Sequence, residues 1–287
     1  MSAQPCNEDA VHALQAWLNA HHSIFVLTGA GVSTHSGIPD YRGEDGEWKR
    51  RAPVMFQPFL HDPEVRARYW ARSFVGWPVV ERARPNRAHE ALAALEAQGK
   101  LSMLVTQNVD GLHQRAGQRQ VIDLHGRIDQ VICLGCAIQH SRDSVQSLIA
   151  HANPQWLKIT ASTAPDGDAD LEQVDFNAFR EPVCPHCSGM LKPDVVFFGE
   201  NVPRERVRAA TEELHRSDAM LVVGSSLMVY SGFRFAQMAR DAGVELAILT
   251  LGRTRADHLT TLKLHADCEI LAESLPRVTS LQAASAG

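Results

Sequence analysis

The sequence predicts an α/β chain built on a Rossmann-like parallel sheet with helices on both faces, plus a smaller module formed by insertions. Short apolar runs at 24–28, 101–106, 121–124, 219–224 and 245–252 alternate with stretches of helical period. Such runs suit strands buried on both faces. The first run ends in Gly29-Ala30-Gly31, a turn that lets backbone approach a ligand beyond the carboxyl end of a strand. Between about 126 and 194 the rhythm stops, and two C-x-x-C pairs bracket the interruption. The whole of 1–287 reads as one unit: a large domain from 24–125 and 195–272, a loop and short-helix insertion at 38–78, and a small module at 126–194.

Each element has a local reason. Val11, Leu14 and Leu18 recur at helical spacing behind Asn7, a cap residue. Strand 24–28 follows. Residues 38–78 mix Pro, Arg and aromatics with irregular period and stay outside the main sheet. In this region Arg66, Arg68, Tyr69 and Arg72 read as a solvated basic helix face, the alternative being that Tyr69 and Arg72, three apart and so on one face, serve a ligand. Asn86 caps the next helix, Leu92 and Leu95 share its apolar face, and Gly99 ends it. Strands 101–106 and 121–124 come next. After the module, VVFF (195–198) restores the rhythm, then a helix at 204–216, strand 219–224, helix 232–241, strand 245–252 and a last apolar piece, 268–272.

The four cysteines of the bracketing pairs are Cys133, Cys136, Cys184 and Cys187. Two tight turns that each present two thiolates can close a tetrahedral Zn2+ shell, leaving no position for water, so one structural zinc is expected. Buried thiols or a redox pair are the alternative, and the paired spacing around one irregular insertion favours metal. Cys6 and Cys268 stand outside the pattern, His140 and His186 read as bystanders, and the acidic run 166–170 reads as a solvated loop.

Composition narrows the class. Apolar content of 45% and charged content of 21% suit a globular protein, and a net charge of −5 argues against direct nucleic-acid binding. No apolar run is long enough to span a bilayer, and the first residues carry neither a secretory nor a transit pattern, so a cytoplasmic location is expected.

Five polar loops follow the predicted strands: TGAGVSTHSGIPDYR, TQNVDGLH, LHG, GSSL and TLGRTR. Their positions suit a ligand lying across several strand ends, as a dinucleotide does. The dinucleotide fingerprint nevertheless fails, because Thr34 stands where its third glycine belongs. Gln107, Asn108 and Asp110 offer two amides and a carboxylate for a carboxamide and sugar hydroxyls. His125 ends a strand, where an imidazole titrates near neutrality.

Taken together with KPDVVFFGE, these stretches resemble the sirtuins, NAD-dependent protein-lysine deacylases, in family order over about residues 24 to 272. RYWARSFVGWP and GRTRADHLTTLKL are most similar to the class II branch. The resemblance implies an enzyme that consumes NAD, releasing nicotinamide and O-acyl-ADP-ribose from acylated-lysine protein substrates. It implies His125 as general base on a ribose hydroxyl, with an ordinary imidazole pKa suiting that task. It implies NAD contacts from Gly29, Ala30, Gly31, Ser33, Asp40, Tyr41 and Arg42, from Gln107, Asn108, Val109 and Asp110, from Gly224, Ser225 and Ser226, and from Thr250, Leu251, Gly252 and Cys268. Val196, Phe198 and Gly199 would border the acyl-lysine tunnel. Two departures stand out: Thr250 replaces the usual asparagine and Tyr41 the usual phenylalanine. Mono-ADP-ribosyl transfer and a non-catalytic NAD-sensing module remain the alternatives.

Overall fold

The computed structural model describes residues 7–41, 43, 45, 47, 53–159, 176 and 178–275. Arg42, Cys6 and the acidic run 166–170 lie outside the described residues.

Helix α1 (Asn7–Ala20) leads into β1 (Ile24–Thr28), which is followed by a 3-10 helix, Ala30–Ser36. That short helix stops at Gly37, whose φ of 84° is a left-handed conformation glycine adopts without strain. Then come α2 (Phe56–His61), α3 (Pro63–Arg82), α4 (Arg87–Ala97), β2 (Leu101–Thr106), α5 (Leu112–Arg115) and β3 (Val121–Asp123). The interruption holds β4 (Gly126–Cys133), β5 (Gln139–Ser141), α6 (Arg142–Ala152) and β6 (Leu191–Val195). The chain continues with α7 (Arg204–Arg216), β7 (Ala219–Val223), α8 (Tyr230–Asp241), β8 (Glu245–Leu249), β9 (Leu262–Leu264) and α9 (Ile270–Ser274).

Six strands form one parallel sheet in the order β3-β2-β1-β7-β8-β9. Its central strands alternate between two cores, as a period of two requires. Ile24, Val26, Leu221 and Leu249 face a layer built by α1, α4 and α9, whereas Phe25, Leu27, Val222 and Ile248 face α7 and α8. All five residues of β1 are buried. Full burial of each large aliphatic side chain stabilises the fold by about 1.5–3 kcal/mol, so β1 is fixed from both sides.

The insertions depart from the sequence reading in three ways. The stretch 38–78 contains the start of a 20-residue helix, α3, rather than short helices alone. Asp62 caps α3 by accepting from the Glu64 and Val65 amides, and Pro63 occupies the first turn, where its missing donor costs nothing. The strand placed at VVFF is β6, four residues earlier, and it pairs antiparallel with β4 in a separate sheet, β5-β4-β6. The solvated basic face is also corrected. Arg66 and Tyr69 are buried, and the Arg66 Nε lies 2.9 Å from the Glu181 Oε2.

Both insertions bury one another. Phe59, Tyr69, Trp70 and Phe74 of α2 and α3 share a core with Val131 of β4, Val145 and Ile149 of α6, and Leu191 of β6. Arg142 is buried there with its guanidinium 5.7 Å from the Trp70 ring centre and 5.1 Å from that of Trp77. Flat aromatic faces accept such a cation favourably. Among the described residues, no helix is long and apolar enough to cross a membrane.

Candidate active site

In this strand order the chain reverses direction of growth between β1 and β7, and loops that leave such a switch point frame a crevice. A cleft of about 520 Å³ opens there. Every described residue expected at the NAD or acyl-lysine site lines it, except Gly199.

The glycines hold the two loops together rather than only admitting a ligand. The Gly31 amide donates to the Gly224 carbonyl at 2.8 Å, and the Gly29 amide to the Val223 carbonyl at 3.1 Å. A Cβ on Gly31 would stand 2.9 Å from that Gly224 oxygen, and one on Gly29 would stand 2.7 Å from the Ser225 Cβ. Side chains at these positions would force backbone apart.

Beneath this contact, polar groups from the segments that follow β1 and β2 lock one another. Asn108 donates both amide hydrogens inside the protein, to the Gly29 carbonyl at 3.1 Å and the Ser33 hydroxyl at 3.0 Å. Its Oδ1 is then the side-chain atom left to face a ligand, and it only accepts. Ser33 passes its own hydrogen to the Asp110 Oδ2 at 2.8 Å, while the Leu112 amide donates to the other oxygen at 2.9 Å. Burial raises the Asp110 carboxyl above its usual range, opposed by those two donors and by Arg127 and Arg115. Gln107 turns inward, donating to the Ser225 hydroxyl at 2.7 Å and the Thr28 carbonyl at 3.4 Å. Its amide ties loops together.

His125 is held at both ring nitrogens. Nδ1 lies 2.9 Å from the Gln107 carbonyl, and Nε2 lies 2.8 Å from the Ser231 hydroxyl. A carbonyl oxygen can only accept, so Nδ1 carries the hydrogen and Nε2 presents a lone pair. Burial pushes the imidazole down to about 4, helped by Arg206 and Arg234 and opposed by the Gln107 carbonyl. The ordinary value inferred from the sequence is therefore corrected: the ring is neutral at pH 7, a base with its acceptor nitrogen preset.

The far wall comes from the segment after β6. Val195, Val196, Phe197 and Phe198 line the cleft, and the Val196 amide donates to the His125 carbonyl at 2.8 Å. Glu200 braces this segment by accepting from the Phe197 amide at 2.9 Å and from Lys192 at 3.1 Å. Tyr41 meets Phe198 edge to face at 6.4 Å. Tyr69 also lines the cleft. Arg66 is engaged by Glu181 and by the Phe59 and Leu60 carbonyls, so its charge is committed within the protein. Sequence reasoning missed Ile38, Ile128, Val229, Arg253 and Asp267, which line the cleft, and Ser231. Asp267 had a local signal, standing next to Cys268.

Away from the cleft, the four expected ligands converge. Their sulfurs lie within 4.8 Å of one another, with 3.5 Å between Cys133 and Cys187 and 3.8 Å between Cys136 and Cys184. A Zn–S bond of about 2.3 Å in a tetrahedron requires sulfurs roughly 3.8 Å apart, so the set fits one structural zinc. The two knuckles repeat the same turn. Ala137 and Ser188 both adopt positive φ, and their amides donate back to the Cys133 and Cys184 carbonyls at 2.9 and 2.8 Å. The Cys136 and Gly135 amides point at the Cys133 sulfur and hold its thiol below the usual value.

Comparison with known proteins bears on this geometry. A model of the Sir2 family matches residues 29–231. NAD-dependent protein deacetylase 2 of Bradyrhizobium diazoefficiens is 58% identical over 91% of this chain and 95% of that protein. The human mitochondrial NAD-dependent protein lipoamidase sirtuin-4 is 44% identical over 93% of this chain and 86% of that protein. Among solved structures, Sir2 with a deacetylated p53 peptide and 3'-O-acetyl-ADP-ribose is 31% identical, with a TM-score of 0.72 over 91% of this chain and 95% of that one. A Sir2 complex with p53 peptide and NAD+ gives 0.69 at 31% identity, over 91% of this chain and 95% of that one.

Proposed function

The chain belongs to the Sir2 family, and from that premise we propose that it is an NAD-dependent protein-lysine deacylase of deacetylase type. It releases nicotinamide and transfers the acyl group to ADP-ribose. The observation that carries this reading is His125: a half-buried, neutral imidazole on the cleft wall with Nδ1–H fixed on the Gln107 carbonyl and Nε2 as acceptor.

NAD is a substrate here and would lie along the strand ends, against Ala30, Ser226 and Thr250. The Asn108 Oδ1 and Asp110 supply acceptors for the carboxamide and ribose of the nicotinamide half. Acyl-lysine enters between Val196 and Phe198, with the peptide lying along that segment as an added strand. Its acyl oxygen attacks the ribose carbon as nicotinamide departs. His125 then takes the proton of a ribose hydroxyl at Nε2, which frees that oxygen to attack the transferred acyl group. A placed base of this kind contributes about 10²–10⁴ in rate. Zinc holds the small module together and takes no part in the chemistry.

The similarity to a bacterial NAD-dependent protein deacetylase supports deacetylation, and that to the human lipoamidase supports testing longer chains. The test follows nicotinamide release and peptide mass together, with NAD and lysine peptides bearing acetyl, longer, acidic and lipoyl chains. Loss of the acyl mass in step with nicotinamide is the expected result. Nicotinamide release with a heavier protein target would replace the reading with ADP-ribosyl transfer. Binding of NAD without any turnover would replace it with a sensing role.

A further inference from the structure

Ser231 occupies the one nitrogen of His125 that the proposed reaction needs. Its Oγ lies 2.8 Å from Nε2, and because Nδ1 already carries the ring hydrogen, the hydroxyl must be the donor. The serine is not on a loose tail. It stands in the first turn of α8, which Phe233 and Phe235 anchor in the apolar layer beneath the sheet. Gly232 lies so close to the Gln107 side chain that a Cβ there would collide with it. Gln107 in turn supplies the carbonyl that holds Nδ1 and the amide that grips Ser225. One end of α8 is thus seated on both halves of the histidine's support.

We propose that Ser231 is a positioning residue for His125: its hydroxyl keeps Nε2 aligned as the acceptor in the empty cleft and yields that nitrogen to the incoming ribose hydroxyl. The inference deepens the deacylase reading and rests on it. A donor on Nε2 stabilises the neutral ring, because the lone pair it binds is the one a proton would take. Ser231 therefore lowers the basicity of His125 in the same direction as burial and the two cations that act on it, Arg206 of α7 and Arg234 of α8. The nearest carboxylate in the chain, Asp123 at the end of β3, is engaged by Gln114 and faces Arg127 and Arg206.

The experiment titrates His125 by NMR in zinc-loaded, ligand-free protein with labelled histidine, the resonance being assigned by its loss in His125→Gln. Ser231→Ala should raise the midpoint by about 0.5–1 pH unit, the size expected for losing one neutral hydrogen bond. Ser231→Thr, which keeps the hydroxyl, should return it to the wild-type value. In turnover, the acid limb of kcat/KM should move up by the same interval in Ser231→Ala. Its kcat should fall about threefold to tenfold, while the KM for NAD stays within about twofold. A folded Ser231→Ala protein with an unmoved His125 midpoint overturns the proposal, and so does a Thr variant that behaves like Ala. Should the Ala variant unfold, Ser231→Cys, a weaker donor, must give a smaller shift of the same sign, and an unshifted midpoint there overturns it equally. The ligand-free titration needs no turnover, so failure of the deacylase reading would be seen separately, in the peptide assay.

Discussion

His89 sets up an acid sensitivity that can be worked out in advance. It is fully buried at the start of α4, and burial pushes its imidazole from 6.5 down to about 4. The unfolded chain therefore binds a proton between those values that the folded chain refuses. Stability supplied by the neutral ring is complete above about pH 6.5 and is lost as pH falls towards 4. Integrating that difference gives roughly 2 kcal/mol lost between pH 7 and pH 5 from this one residue. His125 contributes in the same sense, and so does His113, whose imidazole is also pushed down by burial. Asp110 and Asp123, both raised by burial, act in the opposite sense, and the zinc thiolates add their own acid response. A comparison with His89→Gln cancels those shared contributions, because glutamine can still serve the Asn86 cap but does not titrate. Urea unfolding at pH 7, 6 and 5, with zinc present, should show the variant gaining roughly 2 kcal/mol on the wild type across that range. A stability gap that stays constant from pH 7 to 5 would refute the reasoning.

Three further perturbations test other parts of the molecule. Gly31→Ala drives a Cβ against the Gly224 backbone, and thermal unfolding should show a loss of about 2–4 kcal/mol together with loss of NAD binding by calorimetry; wild-type behaviour would mean the loops are not interlocked. Elemental analysis should find one zinc per chain, and Cys184→Ser should lose the metal and lower the melting temperature; a metal-free wild type that is stable and active contradicts the assignment. Arg66→Ala leaves Glu181 without its partner at a half-buried site. Urea titration should register about 2–3 kcal/mol, less than a wholly buried pair because water reaches Glu181, whereas Arg68→Ala on the exposed face should change stability by less than about 0.5 kcal/mol.

The central strands were legible because burial on both faces demands unbroken apolar runs, as in Ile24–Thr28 and Ala219–Val223. β9 is only three residues long, with a lysine at its middle, and carries no comparable signal. β4 hides because its pairing with β6 shifts register between Gly126 and Val131, which breaks the alternation a strand would show. VVFF misled for a different reason: its apolar side chains serve the wall of a cleft, so the hydrophobicity marks a site and not a ladder. At the site, the cysteine pairs could be read from their spacing, whereas His125 and Asn108 stood out only through the family resemblance; the fold brings both to the cleft. The depressed basicity of His125 could not be read, since it comes from burial and from Arg206 and Arg234, far away in sequence. Ser231 was silent because a serine in the first turn of a helix is ordinary; only the fold brings it to the imidazole.

The shared aromatic core of the two insertions has a consequence for how the chain is made. Phe59, Tyr69, Trp70 and Phe74 leave the ribosome well before Val131, Val145 and Leu191, the side chains that cover them. β1 likewise waits for β7 to complete its ladder. A nascent chain halted near residue 120 would thus display a greasy, unfinished surface, and synthesis must outrun self-association before either half can close.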